Sequence, residues 1–367
     1  MDKIKILQYT GTMNMGGAET LLMNLYRNMN RNKYEFHFVT HSKKKCYYYD
    51  EIIKLGGKII YIDHPTIKNF KKYSQDFKKI IKNNGPYNAI HSHVQLFNGI
   101  VLREAKRNEI PNIISHAHLN GDYSRKTIKR IIYKNFSKYL INNSATYRIS
   151  CSNDSGKYLY GNREFKLLNN AIDINKFKYE YSNTLIEELG LKKDNKIITH
   201  IGSFKEAKNH NFIIEVFREL VNKDNRYELV LVGKGNLEEI IKKKVIEYGI
   251  EKKVHFLGLR DDIPQILKST DIFFMPSILE GLPVVLVEAQ AAGVSCVISN
   301  TIPKECDMGL NLINFLSLNE NIETWVDLII NTKKNYSSFH ERKNKILKCG
   351  YDLEKNIKFL EELYAKN

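Results

Sequence analysis

Two periodicities alternate along the chain. Short apolar runs rich in β-branched and aromatic residues recur between longer segments whose apolar positions repeat every three or four residues. In the first half the short runs are IKILQYT, YEFHFVTH, GKIIYID, YNAIHSH, NIISHAH, YRISCS and FKLLNN; in the second they are KIITHIGS, YELVLVGKG, VHFLGL, DIFFMPS and SCVIS. The segments between them read as amphipathic helices, as in NHNFIIEVFRELVNK, where Phe212, Val216, Phe217 and Leu220 share a face. Alternation of this kind predicts parallel sheets covered by helices. The runs are too many for one open sheet, so the pattern predicts an α/β chain of two doubly wound, Rossmann-like domains in tandem. The polar, irregular stretch from Ala171 to Asn195 places the boundary after LLNN, giving domains over 1–178 and 179–350. In the tail, Leu353, Ile357, Leu360 and Tyr364 form one apolar stripe of a helix, which must pack on something.

Composition narrows the classes. The 367 residues contain no apolar run of membrane-spanning length, and MDKIKILQY carries charge where a signal peptide would be apolar, so a cytoplasmic location is expected. Five scattered cysteines without a C-x-x-C pair indicate neither a disulfide framework nor a zinc finger. The net charge of +16 is uneven: residues 1–178 hold 31 Lys and Arg against 13 Asp and Glu, and the remainder is close to neutral. A basic half attracts phosphate-bearing substrates, an anionic membrane face or nucleic acid. Neither a stacking platform nor a recognition-helix motif accompanies the charge, which argues against nucleic acid.

Chemistry concentrates in a few turns. Gly16 and Gly17 lie between the first strand and a helix over Thr20–Asn28, where backbone amides and the helix N-terminus suit a phosphate; the missing G-x-G-x-x-G spacing argues against a dinucleotide site, and a plain tight turn is the bland alternative. In SILEGLPVVLVEAQAAG, Glu280 sits in a loop, Pro283 opens a helix that Gly293 should end, and Glu288 lies about one and a half turns inside it. A loop carboxylate accepts bonds from sugar hydroxyls, an in-helix carboxylate can take both hydroxyls of a ribose, and amides of Gly281 and Leu282 between them can cradle a diphosphate. That geometry suits a nucleotide-sugar at the C-terminal ends of a parallel sheet, whereas a solvated Glu288 is the bland alternative.

The Glu-x7-Glu segment EGLPVVLVE resembles the signature of retaining glycosyltransferase family 4, whose members have the two-domain glycosyltransferase-B (GT-B) fold. MGGAE, LLNNAIDINKF, IGSFKEAKNH, LVLVGKGN, VHFLGLRDDIP and YDLEKNIKFLEELY resemble further segments of that family, in the family's order and over nearly the whole chain. NAIHSH and HAH are similar to its bacterial capsule and exopolysaccharide branch. The resemblance implies two Rossmann-like domains facing each other across a cleft, with the helix over 351–367 returning to the N-terminal, acceptor-binding one, and 179–350 binding the donor. It implies that Glu280 bonds the donor sugar, Glu288 the ribose, Lys208 the diphosphate, and that Gly16 and Gly17 approach the diphosphate or acceptor. It likewise implies donor contacts from Asn170, Ser203, Gly233, Leu259, Arg260, Gly281, Leu282, Pro283 and Val284. An active-site histidine is implied at an N-domain strand end, with His116 favoured over His118; of the earlier pair His91 and His93, at least one is read as lining the crevice wall. The sequence departs from the family at Ser203, where an arginine is usual, and in having Asn169 and Ala171 around Asn170. No Asp-x-Asp motif for Mg or Mn is present, so neither metal nor other cofactor is expected. The implied reaction moves a hexose or N-acetylhexosamine, from a UDP-sugar in preference to a GDP-sugar, to a surface glycan; an acceptor carried on a polyprenyl diphosphate would account for the positive charge of the N-terminal half. A non-hydrolysing epimerase shares the fold and is the enzymatic alternative.

Two basic amphipathic segments are candidates for contact with an anionic membrane, consistent with a peripheral location. One aligns Ile67, Phe70, Phe77, Ile80 and Ile81 against lysines, the other Ile128, Ile131, Ile132, Phe136, Tyr139 and Leu140 against Arg125, Lys126, Lys129, Arg130, Lys134 and Lys138. The same pattern describes a sheet-covering helix with a solvated outer face.

Overall fold

A computed structural model describes residues 3–66, 68–122, 127–178, 183–333 and 337–366. Thirteen strands are found among them: β1 (Ile4–Gly11), β2 (Tyr34–Thr40), β3 (Lys58–Tyr61), β4 (Ala89–Ser92), β5 (Asn112–Ala117), β6 (Tyr147–Ser150), β7 (Lys166–Leu167), β8 (Lys196–Ile201), β9 (Tyr227–Val232), β10 (Val254–Gly258), β11 (Ile272–Met275), β12 (Ser295–Ser299) and β13 (Ile313–Leu316). The helices are α1 (Gly17–Asn28), α2 (Tyr49–Lys54), α3 (Phe70–Asn84), α4 (Asn98–Arg107), α5 (Ile128–Ser144), α6 (Asn153–Tyr160), α7 (Thr184–Glu188), α8 (His210–Lys223), α9 (Glu238–Glu247), α10 (Ile263–Lys268), α11 (Val284–Ala292), α12 (Ile322–Asn331), α13 (Phe339–Lys348) and α14 (Leu353–Tyr364).

The chain divides into two compact units. Residues 1–171 and 351–367 form the first, 172–350 the second. The division falls seven residues before the expected one because IDINKF, polar on paper, buries Ile174 and Phe177 in the second unit, where its short 3-10 turn packs on α11.

Every strand pairing is parallel. The first sheet runs β3-β2-β1-β4-β5-β6-β7 and the second β10-β9-β8-β11-β12-β13. Both orders reverse once, beside the first strand of each unit, and that reversal opens a crevice at the C-terminal strand ends. Helices bury apolar stripes on the faces: Phe217 and Leu220 of α8 and Trp325 of α12 in the second unit, Tyr73 and Phe77 of α3 in the first. The tail stripe finds its partner in the first unit, where Leu360, Leu363 and Tyr364 join the cluster of Leu22, Tyr26 and Phe36. Strand β13, whose four residues are all half-buried, is absent from the sequence reading.

Candidate functional site

In the second unit the chemistry-bearing residues gather at the C-terminal ends of β8, β9, β10 and β11. Lys208 follows β8 and Glu280 follows β11, the two strands that flank the reversal. Their loops are stitched together by Ile278 N–H donating to the Ala207 carbonyl at 2.8 Å and by Asn209, left-handed at φ 57°, whose Nδ2 donates to the Pro276 carbonyl at 3.1 Å. This brings Lys208 Nζ to 2.5 Å from Glu280 Oε1, with side chains only 18% and 10% exposed. A sheltered ion pair of this kind is stronger than a surface one, and either partner left alone would be a poorly solvated charge.

Pro283 stands at the N-cap of α11 rather than in its first turn, and no side chain caps the helix, so its first amides are open to an anion. Gly293 ends it in the left-handed conformation at φ 80°. Gly281, Leu282 and Val284 are half-buried around this N-terminus. Glu288, half-buried one turn further along, accepts no hydrogen bond from the described residues. Desolvation pushes its carboxyl up to about 7, with Lys176 pulling the other way. A half-buried carboxyl without a protein partner is a candidate for contact with a bound hydroxyl.

The remaining donor-side residues divide by role. Gly233, at φ 138°, lies against the Gly202 carbonyl so closely that a Cβ would collide with it; this glycine is needed by the protein's own packing. Ser203 is half-buried beside it, and Lys205 is exposed. Leu259 is exposed at the end of β10, while Arg260 spends its guanidinium on Glu188, at 2.6 and 3.0 Å, and on Asp262, at 2.7 and 2.5 Å. Two histidines passed over in the sequence lie behind Lys208. His200 hydrogen-bonds the Phe274 carbonyl at 2.9 Å, and His210 stacks on Phe204 with ring centres 4.1 Å apart. His210 is depressed to about 4, first by burial and then by Lys208.

In the first unit, Gly16 is the N-cap of α1 and Gly17 its first residue, three positions earlier than expected. A Cβ at Gly17 would meet nothing within 4 Å, so the unit's own packing does not require that glycine. Asn170 is buried with its Oδ1 unpartnered, and Asn169 is fixed through its carbonyl to Asn356 Nδ2 at 2.9 Å. His116 is fully buried within β5, whereas His118 stands half-buried just past the strand end. His91 and His93, at the end of β4, pack with them.

A pocket of about 700 Å³ opens beside these strand ends, lined by His64, Phe97, Arg130, Tyr133 and Tyr158 among others. Arg130 is held there by Asp122 at 2.6 and 2.9 Å. Of the two membrane candidates, α3 buries its apolar positions, with Phe77 0% exposed. Helix α5 does the opposite: Ile128, Ile131, Ile132, Phe136 and Tyr139 are 78, 53, 63, 51 and 63% exposed. Arg125, Lys126 and Ile67 lie outside the described residues. No helix among the described residues is long and apolar enough to cross a membrane.

Two Rossmann-like units with an acidic pair and a lysine at the second sheet's reversal define a GT-B glycosyltransferase that uses a nucleotide-sugar. The chain matches the family models "Glycosyltransferase Family 4" over residues 15–176 and "Glycosyl transferases group 1" over 182–357. It is 33% identical to the Bacillus subtilis protein named "Putative glycosyltransferase EpsF", over 98% of this chain and 96% of that one. The chain belongs to glycosyltransferase family 4. It is 27% identical, over 81% of this chain and 80% of the relative, to the Escherichia coli UDP-Gal:alpha-D-GlcNAc-diphosphoundecaprenol alpha-1,3-galactosyltransferase. The fold is that of Anabaena Alr3699/HepE crystallised with UDP and glucose, at TM-score 0.77 and 18% identity over 98% of each chain.

Proposed function

We propose that the protein transfers a hexose or N-acetylhexosamine from a UDP-sugar, with retention and without a catalytic metal, to a polyprenyl-diphosphate-linked glycan in surface polysaccharide synthesis. The observation that carries this reading is the Lys208–Glu280 pair at the reversal, with the unsatisfied Glu288 on the adjoining helix. Glu288 takes the ribose hydroxyls and the amides at the start of α11 take the diphosphate. Lys208 exchanges Glu280 for the departing phosphate oxygen, so its charge is worth most when that oxygen becomes anionic. Glu280, released, accepts from the sugar hydroxyls. Its grip on hydroxyls leaves no carboxylate for a covalent glycosyl intermediate, so the acceptor attacks from the leaving group's face and the phosphate oxygen takes its proton. Of the histidines, His118 at the strand end suits the sugar contact, with His116 behind it.

The lipid-linked acceptor is supported by the printed substrate of the Escherichia coli relative and by α5. Five exposed apolar side chains beside Lys129, Lys134 and Lys138 are the composition of an interfacial helix, which supports a peripheral position on an anionic membrane face. Flotation with anionic vesicles checks this: wild type should float, and Ile131→Asp with Phe136→Asp should not; equal flotation would remove the membrane from the account. Turnover of UDP-sugars with and without a lipid-diphosphate glycan, in the presence of EDTA, tests the reaction. Acceptor-dependent UDP release that survives EDTA and is lost in Glu280→Gln is expected; loss on chelation contradicts metal independence.

A further inference from the structure

The histidines at the ends of β4 and β5 form a quartet that sugar transfer leaves mostly unused. Ring centres of His91 and His93 are 4.2 Å apart, as are those of His116 and His118, and the cross-strand separations are 5.2 to 5.3 Å. His91 Nε2 lies 3.2 Å from His116 Nδ1, and His93 Nδ1 lies 2.9 Å from His118 Nε2. In His91, His93 and His116, one nitrogen of each falls within 4.8 Å of one nitrogen of the other two.

The surroundings are those of a ligand set. His91 Nδ1 meets Tyr364 Oη at 2.8 Å, His93 Nε2 meets Gln8 Oε1 at 3.1 Å, and Gln8 Nε2 donates to Tyr364 Oη at 3.2 Å. Metal-bound imidazoles are held in this way by an oxygen on the nitrogen facing away from the ion. His116 and His118 turn Nδ1 and Nε2 to the other two rings, and their second nitrogens, Nε2 and Nδ1, are buried without a partner.

We propose that His91, His93 and His116, completed by His118, bind one transition-metal ion of the Zn²⁺ class inside the first unit. Tetrahedral Zn–N bonds of about 2.0–2.1 Å put ligand nitrogens about 3.3 Å apart. The His91–His116 pair is already at 3.2 Å, the His93–His118 pair at 2.9 Å, and the nitrogens of His91, His93 and His116 lie within 4.8 Å of one another. All-nitrogen donors favour Zn, Cu, Ni or Co over Mg and Mn, which want oxygen, so this is not a diphosphate clamp. Binding requires His91 to carry its proton on Nδ1, donated to Tyr364 Oη, with Nε2 free for the ion. The ion would withdraw His118 from the sugar and slow transfer; that consequence rests on the preceding reading, whereas the binding does not.

The test is competition between the chelator-stripped protein and a chromophoric chelator for Zn²⁺, with Co²⁺ absorption as the probe of geometry. One equivalent and the intense visible bands of tetrahedral Co²⁺ are expected. His91→Asn and His116→Asn should each weaken Zn²⁺ binding roughly tenfold or more, and Tyr364→Phe by about 10–100-fold through the lost outer hydrogen bond. Metal-free thermal unfolding establishes whether each variant is folded; if the histidine variants are not, the wild-type Co²⁺ spectrum and Tyr364→Phe decide. Less than one equivalent, a weak octahedral spectrum, or undiminished affinity in a folded variant would overturn the proposal.

Discussion

Glu288 carries a liability that only a ligand redeems. Its folded value of about 7 lies above the ordinary 4.5, so the native state holds the proton more tightly than the unfolded chain. Stability from this group is therefore full below about pH 4.5 and is lost as pH rises through about 7. Glu288→Gln should stabilise the fold at pH 8 by on the order of 1–3 kcal/mol, raising the thermal midpoint there, and leave the midpoint unchanged near pH 4. Scanning calorimetry at the two values checks this, and equal midpoints at pH 8 would mean that the carboxyl is solvated. Lys208 is opposite in character, since its charge serves the departing phosphate: Lys208→Ala should lower kcat about 10²–10³-fold with a smaller change in KM. The role proposed for Glu288 was legible from its type and spacing and that of Lys208 only from the family resemblance, whereas the 2.5 Å pair was not legible, because it depends on the hydrogen bonds that tie the β8 and β11 loops together.

At the level of elements, two glycines separate a packing demand from an open approach. Gly233→Ala forces a Cβ into the Gly202 carbonyl at φ 138° and should destabilise the second unit by about 1–3 kcal/mol or more. Gly17→Ala should leave the melting temperature unchanged or slightly higher, since the added carbon meets no neighbour, while weakening substrate binding. Thermal melts beside steady-state kinetics distinguish the pair. Sequence periodicity revealed the helices and buried strands because burial leaves an apolar trace, and it missed β13, whose four residues are all half-buried. The two His-x-His pairs were legible as same-face residues of two strands. Their assembly into a quartet was not, because it depends on the β4–β5 register, which aligns His91 with Ile114, and on Tyr364 arriving from the far end of the chain. Likewise α3 and α5 share one pattern on paper, and only packing shows that the first is covered and the second exposed.

Across the whole molecule, the charge follows the proposed division of labour. The first 178 residues carry the positive excess and the exposed apolar helix, while the near-neutral second unit carries the acidic pair and selects its ligand by hydrogen bonds. Membrane attachment should therefore weaken with salt, as screening predicts, whereas affinity for the nucleotide should change little. The central claim is that Glu280, Glu288 and Lys208 form one nucleotide-sugar grip, and calorimetric titration of UDP into wild type and into the Glu280→Gln, Glu288→Gln double variant tests it most directly. The account predicts one site per chain in the wild type and an affinity at least about tenfold weaker in a folded double variant, the size of one lost charge-assisted hydrogen bond. Undiminished UDP affinity in that variant, or no heat of binding in the wild type, would contradict it.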